Sequence, residues 1–343
     1  MNKRRTVRSR IVVTLLAATA GLIAVIALIP VAIIALNAPA SPPAMASMTE
    51  PSSQSEPVFP PPRQFKARDA STLQYYAWPA GSDRVAVLVH GSAFPATSMA
   101  LLAEQLRSAG VTVYAPDIRG HGGSGRRGDI DYIGQLEDDL ADFVAQVGLA
   151  KRGETSTLVG FSAGAGLTIR FAGGRYGELF DRYMFLAPIL PGSPTLRPNA
   201  GGWTRVAGRR WAAIASLNGF GIHWFDGLPV VSYAVTSELA RWVTASYSYR
   251  LASNFGAGAR YESWLRGIRR PAAILVGSAD EQEVADQFAP LMDRLGLDIP
   301  VTIVPNLKHA DMTNHPDAAQ AILRAMSSQG DAANEAVARV ADK

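Results

Sequence analysis

The chain has 343 residues, 48% of them hydrophobic, no cysteine and a formal net charge of +4. That length holds one large domain or two ordinary ones, and the missing cysteine excludes disulfides, thiolate metal sites, a Cys nucleophile and lipid-modified cysteines. The charge is local: Lys3, Arg4, Arg5, Arg8 and Arg10 open the chain, and the other 333 residues hold 28 basic against 29 acidic side chains, so no basic patch argues for a nucleic-acid partner.

After the basic head (1–10) comes an uncharged stretch of 26 residues, Ile11 to Leu36. As a helix it would reach roughly 39 Å, enough to cross a bilayer core of ~30 Å. The preceding positive charges would stay cytoplasmic, which places the remainder outside, periplasmic in a bacterium. The reading is an uncleaved signal anchor. The competing reading is a secreted protein whose signal is cleaved near Ala44-Met45-Ala46. Residues 37–62 hold eight prolines and read as an extended spacer without regular elements.

Strands and helices then alternate. Residues 71–80 suggest an antiparallel edge strand. Short β-branched runs at 84–90, 111–116, 155–161, 183–188, 272–277 and 301–305 read as buried strands. Helical spacing marks 97–110, 132–148, 163–172, and segments near 283–295 and 316–326. The alternation predicts an α/β fold with a mostly parallel sheet covered on both faces. Residues 63–189 and 269–327 form the two parts of this core. The intervening 190–268 is too long for a connection and is read as an inserted, largely helical cap; it holds five of the six tryptophans. Trp203, Trp211, Phe220, Trp224, Phe225, Trp242, Tyr247 and Tyr249 are its pocket or core candidates. The tail, 328–343, is polar.

The chemistry centres on "VGFSAG", residues 159–164. Ser162 lies between Gly160 and Gly164, after a strand and before a helix, which is the context a G-x-S-x-G turn needs. Ser162 is the candidate nucleophile, and the amide of Ala163 is a candidate oxyanion donor at a helix N-terminus. His309, after the last strand, is the candidate base. Asp280, ending "AAILVGSAD", is the candidate acid that orients it, with Glu281 and Asp286 as fallbacks. Ser92 in "HGSAF" is the second candidate oxyanion donor. His90 and His121 read as structural, with His121 a minor pocket candidate; His315 reads as a capping or surface residue. No cofactor is expected, and no His/Asp cluster has metal-ligand spacing.

These residues together resemble the α/β-hydrolase family. The order Ser162, Asp280, His309 matches its nucleophile–acid–histidine order, "HGSAF" its oxyanion loop and "PDIRGHGGSG" (116–125) its signature segment. "DYIGQLEDDL", "GSAD" and the cap position after "FLAP" are most similar to the monoacylglycerol lipase, lysophospholipase and serine-aminopeptidase-like branch. The resemblance covers about residues 64–326 and implies a serine hydrolase that cleaves a carboxylic ester through an acyl-enzyme. With an aromatic cap and an anchor through 11–36, a lipid-like ester is the expected substrate. A peptidase or amidase would use the same triad, and would need an acid in the cap to hold an amino terminus; Glu238 and Glu262 are the candidates. An inactive, membrane-tethered binding module is the alternative of another class.

Overall fold

The structure is a computed structural model that describes residues 28–49, 59–149 and 155–327. The expected basic head, the anchor up to residue 27, the middle of the spacer and the tail lie outside the described residues. Among the described residues no helix is long and apolar enough to cross a membrane.

Eight strands form the central sheet in the order β1-β2-β4-β3-β5-β6-β10-β11. They are β1 Arg63–Lys66, β2 Thr72–Trp78, β3 Arg84–Val89, β4 Thr112–Pro116, β5 Thr155–Phe161, β6 Arg182–Leu186, β10 Ala272–Gly277 and β11 Val301–Val304. β1 pairs antiparallel with β2, and β2 with β4; every other neighbour is parallel. The strand expected at the edge is therefore second in the sheet, because β1 pairs outside it. Its sequence, "RQFK", carries too little apolar pattern to announce a strand.

The central strands are apolar on both faces because helices cover both sides. Val85 to Val89 are fully buried, and each such aliphatic side chain contributes roughly 1.5–3 kcal/mol of burial. The helices of the core include α1 Ala100–Ser108, α2 Gln135–Val147 and α3 Ala163–Ala172. β3 lies between β4 and β5, so the chain leaves β3 to one side and returns across it. That reversal is the switch point at which the strand ends splay and leave a crevice. Val89 pairs with Gly160 there, which sets the loop after β3 beside the turn after β5.

The insertion between β6 and β10 is not largely helical. It carries an antiparallel sheet, β7 Thr204–Val206, β8 Pro229–Tyr233 and β9 Ser246–Ser248, beside the helices α4 Gly208–Gly219, α5 Tyr249–Asn254 and α6 Tyr261–Gly267. The strands are three to five residues long, too short for alternation to show. Trp203 and Tyr247 are buried and Tyr249 stacks edge-on to Trp211. Phe220, Trp224 and Trp242, which were expected in the pocket or the cap core, are instead exposed.

The spacer also departs from expectation. Ala46–Thr49 form a helical turn within it, while residues 28–36, which precede it in the stretch read as an anchor helix, are helical. Ile34 is buried, its carbonyl accepts Arg210 Nε of α4 at 2.7 Å, and Asn37 Nδ2 donates to the Ile33 carbonyl at 2.8 Å. These two side chains satisfy carbonyls left over at a helix C-terminus.

Candidate active site

The turn at Ser162 is shaped by what its neighbours lack. Ser162 has φ 56° and ψ −123°, outside the regions an L-residue prefers. Such strain costs roughly 1–3 kcal/mol and persists only where packing over-determines it. A methyl on Gly164 would stand 2.1 Å from the His90 carbonyl oxygen, and one on Gly160 would stand 2.3 Å from Thr168 Oγ1. The two glycines let α3 start directly against β3, and the serine is lifted out at the apex.

His309 meets it from the loop after β11. His309 Nε2 is 2.9 Å from Ser162 Oγ and Nδ1 is 2.7 Å from Asp280 Oδ2. Asp280 is held in turn: its Oδ1 accepts the amides of Gln282 at 2.8 Å and Glu283 at 2.9 Å. With Nδ1 donating to the carboxylate, Nε2 is the acceptor for the serine proton. All three side chains are buried, and the ring of Phe161 lies 4.9 Å from that of His309. Of the fallback acids, Glu281 instead accepts the His309 amide through Oε2 at 3.1 Å, and Asp286 is exposed on a turn.

The oxyanion candidates come from the two adjoining turns. Ala163 opens α3, where its amide has no partner within the helix. The loop after β3 abuts Ser162: a methyl on Gly91 would lie 3.3 Å from Ser162 Cβ. The next two residues are held by the cap. Ser92 Oγ accepts Trp203 Nε1 at 2.9 Å. Ala93, at φ 69°, donates its amide to Tyr247 Oη at 2.8 Å and accepts the Thr244 amide at 2.8 Å. Trp203 and Tyr247 were foreseen only as aromatic bulk; nothing local in the chain links them to the loop after β3.

The other histidines have different work. His90 Nδ1 lies 2.8 Å from the Gly91 carbonyl and Nε2 accepts the Ile118 amide at 3.1 Å. His121 Nε2 lies 2.5 Å from Tyr247 Oη. Burial lowers the pKa of both, and for His121 the neighbouring His90 adds to it, so both rings stay neutral in the fold. Arg119, in the same segment, forms a two-pronged bond to buried Asp139 at 2.8 Å for each contact. His315 accepts the Asp317 amide at 3.2 Å and so caps the helix 316–327.

Two cavities meet at this centre. One of about 300 Å³ is lined by Ser162, Gly91, Ser92, Asp311, Asn314 and, from the N-terminal segment, Ala46 to Met48. The other, about 650 Å³, runs under the cap and is walled mainly by apolar and aromatic groups, among them Ile189, Leu196, Trp203, Tyr233 and Trp264, with Ser92 and Ala163 at its inner end.

Residues 81–316 match the family described as serine aminopeptidase, S33. The chain belongs to that family of α/β hydrolases. By family it is a serine hydrolase, and its fold is the α/β-hydrolase fold. A monoacylglycerol lipase from Mycolicibacterium smegmatis is 29% identical over 142 residues, which span 40% of this chain and 50% of that protein. The chain thus matches about half the length of this curated relative. Among solved structures it is similar to a monoacylglycerol lipase from Paleococcus ferrophilus, with TM-score 0.57 and 22% identity over 75% of this chain and 99% of the other. It is also similar to a soluble variant of the Saccharomyces cerevisiae monoglyceride lipase, with TM-score 0.59 and 16% identity over 82% and 97%. A membrane phospholipase A shares the fold over 94% of this chain and 99% of its own, with TM-score 0.53 and 19% identity. At these identities the likeness to solved structures speaks for the fold.

Proposed function

We propose that the protein hydrolyses a carboxylic ester with a lipid-like acyl chain, through an acyl-enzyme on Ser162. The observation that carries this is the unbroken chain of short contacts from Ser162 Oγ through His309 to Asp280, next to an apolar cavity of about 650 Å³ whose wall includes Ser92 and Ala163, the two candidate oxyanion donors. His309 Nε2 takes the serine proton as Oγ attacks the ester carbonyl, and the Asp280 carboxylate stabilises the imidazolium. The amides of Ser92 and Ala163 receive the oxyanion; one such donor is worth about 10²–10³ in kcat. The same proton then passes from His309 to the departing alcohol. Water, activated by His309, releases the acid.

The acyl chain fills the cavity under the cap, whose aromatic walls suit hydrocarbon. The monoacylglycerol lipase among the relatives supports the same substrate class. The peptidase reading is less well supported: Glu262 is paired with Arg294 at 2.9 Å and Glu238 is exposed, so neither is placed to hold an amino terminus. Residues 11–36 serve as an uncleaved anchor, with the catalytic region extracytoplasmic. The hydrogen bond from Arg210 Nε to the carbonyl of buried Ile34 supports retention of this segment.

The test uses the full chain. A fluorophosphonate probe should label the wild type and not Ser162→Ala, and p-nitrophenyl octanoate should be turned over faster than the acetate. No labelling would return the chain to the inactive binding module; a steep preference for acetate would remove the lipid-like substrate.

A further inference from the structure

The matched family region begins at residue 81, yet the wall of the cavity that contains Ser162 begins 35 residues earlier. Ala46, Ser47 and Met48 line that cavity together with Ser162, Gly91 and Ser92. The segment is built in rather than draped over the mouth. Met45 donates its amide to the Ala234 carbonyl at 2.9 Å, and the Met48 amide closes a turn on the Met45 carbonyl at 3.0 Å. Ala234 donates to the Trp203 carbonyl at 2.9 Å, and the indole of Trp203 donates to Ser92 Oγ. Upstream, Pro42 is buried and Ile34 is held by Arg210. The segment is thus tied to the cap at two points about ten residues apart in the chain, and the second tie is two hydrogen bonds from the loop beside Ser162.

The two cavities differ in chemistry. The one under the cap is apolar and suits the acyl chain. The one beneath Ala46–Met48 is smaller and presents Ser98, Lys308, Asp311, Thr313 and Asn314 along with Ser47. We propose that residues 46–48 form the wall of the leaving-group subsite and select the alcohol half of the ester, a small polar alcohol of the size of glycerol. About 300 Å³ holds a three-carbon polyol, and the polar groups along the wall suit hydroxyls better than a second acyl chain. This rests on the reading of Ser162 as the nucleophile of an ester hydrolase.

The experiment compares two esters with one acyl group and different alcohols, methyl octanoate and glyceryl monooctanoate, on the full chain. Ser47→Trp puts an indole into the subsite from an exposed surface turn, where it does not disturb the core. The expected result is a fall of tenfold or more in kcat/KM for the glyceryl ester against less than threefold for the methyl ester. Met48→Ala should act in the opposite sense and raise turnover of esters with bulkier alcohols. Equal effects on both esters, or none on either, with a wild-type Tm would overturn the proposal. Failure of the wild type to label or to cleave either ester would instead overturn the ester-hydrolase reading on which it rests.

Discussion

Ser162 has a floor and a roof, and they are made differently. The floor is the turn between β5 and α3, set by glycines two residues either side of the serine and by pairing of neighbouring strands. The roof is the cap with the N-terminal segment, held to the loop after β3 by three residues more than 100 positions away: Trp203, Thr244 and Tyr247. The floor is a steric construction and tolerates almost no added volume. The roof is a polar construction, made of single hydrogen bonds that join those three residues to Ser92 and Ala93. The position of Ser162 therefore depends on packing, and that of the loop after β3 on the cap.

That contrast can be broken from either side. The largest effect is expected on the floor. Gly164→Ala drives a methyl against the carbonyls of His90 and Val89, at 2.1 and 2.8 Å, and both belong to rigid backbone. A loss of about 3 kcal/mol, a Tm drop of roughly 10 °C, and loss of probe labelling should follow. A stable, active Gly164→Ala protein would show that the close approach is not needed.

A smaller effect should come from the roof. Tyr247→Phe keeps the buried ring and removes the hydroxyl that contacts both the Ala93 amide and His121 Nε2, leaving a buried donor unpaired. Such a donor costs about 1–3 kcal/mol when fixed in place, and here the loop is free to shift. Steady-state kinetics should show kcat down about tenfold with KM within twofold, because the oxyanion forms only after the substrate is bound. An equal rise in KM would mean that Tyr247 shapes the cavity and not the loop.

The smallest effect concerns the acid loop. Glu283 is fully buried beside Asp280, and neither of its oxygens has a hydrogen-bond partner among the described residues. Burial, and then the Asp280 charge, raise its pKa well above 4.5. As pH rises past 4.5, an unfolded chain releases this proton while the folded one keeps it. Stability is therefore lost as pH rises from the unfolded value toward the folded one. Glu283→Gln cannot ionise and escapes that loss. Its Tm relative to wild type should climb by a few degrees between pH 4.5 and pH 7; a flat difference would mean that Glu283 ionises normally.

Legibility in the chain follows the same division. The strands β3, β5, β6 and β10 announce themselves as apolar runs because both of their faces are covered. Glycine spacing marks the turn at Ser162, since the steric demand there is local. Asp280 and His309 are visible because each follows a strand end, and the structure brings both to within hydrogen-bond reach of their partners. The cap is harder to read. Its strands are too short for alternation, and Trp203 and Trp224 look alike in the chain although one is buried and the other exposed. The proline-rich composition of 37–62 disfavours long elements, but it says nothing about docking. The tie from Met45 to Ala234 is a backbone contact that leaves no mark on side-chain pattern.

The tie has a practical corollary. An entrance assembled partly from the chain's own leader is not portable: trimming the protein to residue 59 for easier handling, or grafting the catalytic region onto another anchor, would remodel the doorway along with the tether. Kinetic data from such shortened forms would describe a more permissive catalyst than the one the full chain encodes.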